Sequence, residues 1–203
     1  MHNEIKLMKR YIAEFIGTFT LIFCGTGAMT INEVTGGEVT HVGIGITWGF
    51  VVIAKKFAWK EVPKYIVAQV LGAFAASLIL LALFPDSELL GSTIPKVDVW
   101  RAFVLELLLT FFLMVTIINV STGSKEIGTT AAIAIGGVVM IEALFAGPIT
   151  NASMNPARSL APNIISGNIQ HLWLYMVAPV LGALLAVVSC KLVKDEQCCE
   201  EEC

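Results

Sequence analysis

The segment ITNASMNPARSLAP, residues 149–162, places two asparagines, two prolines and an arginine between two strongly apolar runs. Asparagine is a strong helix N-cap and proline is best tolerated at the first helical position, so Asn155-Pro156 predicts the start of a helix. Gly167 is a plausible stop, which gives about 11 residues and a length of roughly 16 Å, half a bilayer. A half-helix entering a membrane places its orphan N–H groups and the positive end of its dipole near the midplane. The approach GPITNAS would supply backbone carbonyls, the Asn155 amide would donate hydrogen bonds, and Arg158 would add a fixed charge beside Ala157. Such a lining can replace the hydrogen bonds of water or a small hydroxylated solute, while its positive field disfavours cations and protons. An ordinary exterior loop with a turn at Asn-Pro is the simpler alternative, but it gives the short helix and Arg158 no purpose.

Three carboxylates fall inside apolar runs, where an unpaired charge is costly and marks a functional site by default. Glu14 and Glu106 are expected to act as loop anchors, accepting hydrogen bonds from buried loop backbone. A proton relay is the competing use, yet no His or Lys lies beside them in the spans. Glu142 is a third acid, which could face either a neighbouring subunit or a wet mouth. Enzymatic chemistry is not expected: no nucleophile, base and orienting group cluster together, and His2, His41 and His171 are scattered at segment ends.

The elements that must position these groups are membrane spans. The chain has 203 residues, 56% hydrophobic and 14% charged, with a mean hydropathy of +0.79, far from the usual soluble mix. Runs near the length a hydrocarbon core demands occur at Tyr11–Ile31, Pro63–Phe84, Trp100–Val120, Thr129–Phe145 and Leu172–Val193. A sixth, Val42–Ala54, is short and must borrow Val39–His41 and Phe57, with Lys55 and Lys56 snorkelling, if it is to cross. The first run contains Glu14 and lacks a small-residue cleavage site, so it reads as a span and not a signal peptide. Lys6, Lys9, Arg10, Lys55, Lys56, Lys60, Lys64, Lys125, Lys191 and Lys194 alternate with lysine-poor connections. The pattern places both termini in the cytoplasm, with Lys96 and Arg101 as exceptions. The net charge of −3 comes mainly from the tail DEQCCEEEC, and nucleic acid is not an expected partner. Cys24 and Cys190 lie in apolar runs and Cys198, Cys199 and Cys203 in that tail, so no disulfide framework is expected.

The chain also resembles itself. YIAEFIGTFTLIF (11–23) aligns with FVLELLLTFFLMV (103–115), pairing Glu14 with Glu106, and QVLGAFAASLI (69–79) aligns with PVLGALLAVVS (179–189), pairing Gly72 with Gly182. Two three-helix units of opposite orientation follow, residues 1–99 and 100–194, with a cytoplasmic tail at 195–203. The expected fold is therefore an all-α membrane protein of six spans in two inverted repeats. One re-entrant half-helix lies in the loop 149–166. The first unit is 18 residues shorter between its matched positions, and its counterpart of that loop is missing.

With the motif, the half-helix, the paired glutamates and the repeat taken together, the chain resembles the aquaporin and glycerol-facilitator family of major intrinsic proteins, over nearly its whole length. AEFIGTF, SMNPARSLAP and the two VLGA elements carry the likeness. The resemblance implies a passive channel in the plasma membrane, homotetramers with one pore per subunit, and no cofactor or metal. It also implies a selectivity constriction matched here by Trp48, Ala143, Ala152 and Arg158, beside Asn155, Pro156 and Ala157 of the signature loop. One bulky aromatic opposite two alanines resembles the glycerol-type and nodulin-like members, which implies passage of small neutral solutes such as glycerol as well as water. The departure is the absence of a second Asn-Pro-Ala loop in the first repeat, which should leave one glutamate without its loop partner and a void in the pore lining. A non-conducting deletion variant and a proton-coupled transporter using the three glutamates are the alternatives.

Overall fold

The computed structural model describes residues 2–51, 62–121 and 127–193. All regular structure among them is helical: α1 (His2–Val34), α2 (Thr40–Val51), α3 (Val62–Leu83), α4 (Val99–Ser121), α5 (Ile127–Thr150), α6 (Pro156–Ser166) and α7 (Leu172–Val193). Five helices are long and apolar enough to cross a bilayer, at Leu7–Val34, Pro63–Leu83, Val99–Val120, Ala131–Thr150 and Leu172–Leu192. The chain is a multi-pass membrane protein. Among the described residues α2, the expected sixth span, has twelve residues, about 18 Å of helix. It begins at Thr40 and so gains Thr40 and His41 but not Val39. Phe57, Lys55, Lys56, Lys60, Lys125, Lys194 and the tail cysteines lie outside the described residues.

Glycine decides where the spans cross. Helix α1 packs along α3, and α4 along α7. A Cβ on Gly72 would sit 2.5 Å from the carbonyl oxygen of Phe15 and 3.1 Å from the amide of Phe19. A Cβ on Gly182 would meet the Leu107 carbonyl and, at 3.1 Å, the Phe111 amide. The spacing from Phe15 to Leu107 and from Phe19 to Phe111 equals that from Glu14 to Glu106. The two crossings therefore use matched residues of the two halves. Without a hydrophobic force between helices in lipid, such close backbone approach is the main source of packing energy. Helix α2 crosses α5 in the same manner, and α6 packs against α3 and α7.

Helix α5 runs past the expected end at Phe145 to Thr150, through Pro148. A helical proline cannot donate to the carbonyl four residues back, which here is that of Leu144. The imidazole Nε2 of His41 lies 2.8 Å from that carbonyl oxygen and occupies the vacated position. The α2 start thus repairs the α5 end. A hollow of about 420 Å³ lies between α1 and α3, beside Tyr11, Lys64 and Leu71.

Gly182→Ala is expected to lower the melting temperature of the detergent-solubilised protein, since overpacking a tight contact costs roughly 1–3 kcal/mol. Gly137→Ala, where a Cβ meets nothing within 4 Å, should leave it unchanged or raise it by removing a helix-interior glycine. Thermal unfolding of the two variants side by side checks this.

Candidate functional site

The connection between α5 and α6, residues 151–155, folds back into the bundle. Asn151, Ala152 and Met154 adopt φ of 66°, 41° and 54°, a left-handed region that costs residues with a Cβ about 1–2 kcal/mol each. What holds them there is Glu106, fully buried in α4. Its Oε1 accepts from Thr150 Oγ1 at 2.7 Å and from Ser153 N at 2.9 Å. Its Oε2 accepts from Met154 N at 2.9 Å and from Ser153 N at 3.1 Å. Glu106 stands seven residues into α4, so the loop tip lies about 10 Å below the start of that helix. Tyr175 of α7 donates from its hydroxyl to the Thr150 carbonyl at 2.8 Å and fixes the other side of the turn.

Helix α6 begins and ends where its local chemistry dictates. Asn155 is extended, with φ −148° and ψ 115°, and its side chain accepts from Ala157 N at 2.9 Å and Arg158 N at 3.3 Å. Pro156 takes the first helical position, and Gly167 closes the helix at φ 79°. This geometry corrects one expectation. The orphan amides do not point free into a cavity, because Asn155 Oδ1 consumes two of them and Pro156 has none. The donor left at the helix tip is the amide NH₂ of Asn155.

Arg158 is 1% exposed. Its Nη1 donates to the Gly91 carbonyl at 2.8 Å and its Nη2 to Met29 Sδ at 3.0 Å, and the guanidinium carbon lies 5.0 Å over the Trp48 ring. Trp48 is wedged against Gly25, where a Cβ would meet the indole at 2.6 Å. Trp48, Ala143 and Ala152 share one apolar cluster with Met154. The structure therefore brings Trp48, Ala143, Ala152 and Arg158 together around the N-terminal turn of α6, next to Asn155, Pro156 and Ala157. Above them opens a vestibule of about 440 Å³, whose floor includes Trp48 and Ala143 and whose upper wall includes Glu33, His41 and Lys96.

Two further asparagines tie the vestibule together, and sequence reasoning gave them no role. Asn163 of α6, fully buried, accepts from Thr93 N at 2.9 Å and donates to Thr93 O at 2.8 Å. Asn151 accepts from Ile94 N at 3.0 Å. They fix the connection between α3 and α4, and with it the Gly91 carbonyl on Arg158. That connection is also held by Glu33, which accepts from Ser87 Oγ at 2.7 Å and Glu88 N at 3.1 Å.

Glu14 lies apart from this site. Its carboxylate accepts from the Gln69 side chain of α3 at 3.1 Å, and no loop backbone reaches it among the described residues. Glu142 is 6% exposed within one chain and is not among the residues lining the vestibule, and its Oε2 has no hydrogen-bond partner among the described residues.

The profile of the Major intrinsic protein family matches residues 28–189. The chain belongs to that family. It is 37% identical to Aquaporin NIP1-3 of Oryza sativa subsp. japonica, over 94% of this chain and 76% of the relative. It is 35% identical to Nodulin-26 of Glycine max, over 89% of this chain and 76% of the relative. The alignment with the rice relative runs over 216 positions, more than the 203 residues of this chain, so the relative carries residues with no counterpart here. Among solved structures, the aquaglyceroporin from Plasmodium falciparum superposes with a TM-score of 0.80 at 23% identity, covering 92% of this chain and 96% of that one. The fold is that of this family of helical membrane channels, which are passive pores and not enzymes.

Glu106→Gln is expected to lower stability by about 2–5 kcal/mol, since one amide edge would face the Ser153 or Met154 N–H and leave donors buried without acceptors. Glu14→Gln, which touches one side-chain amide at a half-buried site, should cost under about 1 kcal/mol. Chemical unfolding of both variants in the same detergent measures the contrast.

Proposed function

We propose that this chain is a passive channel for water and small neutral solutes such as glycerol, with its constriction at Trp48, Ala143, Ala152 and Arg158. The observation that carries the reading is the capped half-helix, whose Asn155 tip is held inside the bundle, next to a vestibule lined by Trp48 and Ala143 against which Ala152 and Arg158 pack. A lining of one aromatic, two alanines and a shielded guanidinium offers an apolar wall for carbon–hydrogen groups and few hydrogen-bond partners, which suits a polyol as well as water. The positive charge of Arg158 and the positive helix end disfavour cations and protons. Orientation with both termini in the cytoplasm, a plasma-membrane location and a homotetramer belong to the same proposal, supported by family membership and by the placement of lysines. So does the division into inverted units at 1–99 and 100–194, supported by the matched crossings at Gly72 and Gly182.

A second reading has an observation in its favour. Between the matched positions Glu14 to Gly72 and Glu106 to Gly182 the first unit is 18 residues shorter than the second, so a non-conducting chain that assembles with longer relatives is the competing outcome. Stopped-flow light scattering of vesicles containing the purified protein separates the two. Water and glycerol permeability at least about fivefold above protein-free vesicles supports conduction. Equality with protein-free vesicles contradicts it.

A further inference from the structure

Among the described residues, the Arg158 guanidinium touches three groups outside its own helix, and each belongs to the vestibule wall. Met29, Trp48 and Gly91 all line the cavity, while the guanidinium they touch is 1% exposed. The three form a roof between the vestibule and the charge. A solute that is to exchange hydrogen bonds with Arg158 must first find a gap in that roof.

Two of the three cannot readily move. Trp48 is held by the close approach of Gly25 and by its stacking on the guanidinium. Gly91, at φ 70°, lies against Thr26, where an added Cβ would come within 2.5 Å of the Thr26 side chain. The connection carrying Gly91 is also stitched down through Glu33, Asn151 and Asn163. Met29 differs in kind. It is unbranched, has three rotatable side-chain bonds, and its thioether is a soft, weak acceptor. Its 3.0 Å contact with Nη2 is cheap to give up and to re-form, and a swing of its terminal methyl is the smallest motion that uncovers an Arg158 donor.

The geometry points to Met29 as a fifth specificity-determining residue, a movable cover on Arg158 that sets which neutral solutes reach the guanidinium. This inference rests on the channel reading above. It adds a residue of α1 to a constriction otherwise drawn from α2, α5 and the signature loop, and it concerns small hydroxylated solutes. Removing the cover exposes a donor and widens the floor of the vestibule. Larger polyols then gain both space and a hydrogen bond, while water, already small enough, gains little.

The test uses the full chain in vesicles and in lipid nanodiscs. Met29→Ala is expected to raise the ratio of five-carbon to three-carbon polyol permeability by about two- to tenfold, the range a single gained hydrogen bond supports. Met29→Leu keeps the bulk and drops the sulfur acceptor, so its ratio should stay within about twofold of the parent. An unchanged ratio in Met29→Ala would overturn the inference.

Arg158 is one of three arginines, with Arg10 and Arg101, so ¹⁵N-arginine labelling gives a readout that needs no conduction. Exchange of the Arg158 Nη protons with solvent should speed up at least about tenfold in both Met29→Leu and Met29→Ala. Equal exchange in parent and variants would overturn the proposal even if parent vesicles are no leakier than protein-free ones, and that second result would by itself sink only the channel reading. Should Met29→Ala fail to fold, the exchange rate in Met29→Leu decides.

Discussion

A buried carboxylate receiving three donors from the end of α5 and the loop that follows it is the constraint on which the rest of this molecule depends. Glu106 takes Thr150 Oγ1, Ser153 N and Met154 N, and so pins a stretch in which Asn151, Ala152 and Met154 all have left-handed backbone. Backbone like that does not persist in isolation, and non-helical backbone at membrane depth survives only where protein satisfies its polar groups. The carboxylate meets both conditions at once. Because the loop is fixed, Asn155 caps α6 inside the bundle and Arg158 is carried to its place under Trp48.

The remaining contacts stabilise that arrangement from the vestibule side. Asn163 holds Thr93, Asn151 holds Ile94, and the same connection presents the Gly91 carbonyl to Arg158. His41 lends a hydrogen bond to the carbonyl that Pro148 leaves bare. Each of these links joins residues far apart in the chain, and together they make the mouth of the candidate pore a rigid frame. Glycine crossings at Gly72 and Gly182 set the distance between the spans that support it.

Much of this was legible in the sequence, for identifiable reasons. The bounds of α6 follow from Asn155, Pro156 and Gly167 because capping is local. The anchoring type of residue was visible as a carboxylate stranded in an apolar run. The cover on Arg158 was not legible, since Met29 and Gly91 lie 129 and 67 residues away and carry no motif. The continuation of α5 through Pro148 was hidden for the same reason, its remedy being His41 on another helix. Glu14 and Glu106 occupy matched positions, yet among the described residues only Glu106 holds a loop, while Glu14 meets the Gln69 side chain. The burial of Glu142 within a single chain likewise depends on packing that periodicity does not encode.

The central claim is that Glu106 holds residues 153 and 154 in a closed, water-poor turn, and backbone hydrogen exchange in lipid nanodiscs tests it most directly. The account predicts that the Ser153 and Met154 amides exchange as slowly as those in the middle of α4, over hours or longer. Exchange of both within seconds, at the rate of an exposed loop, would contradict it.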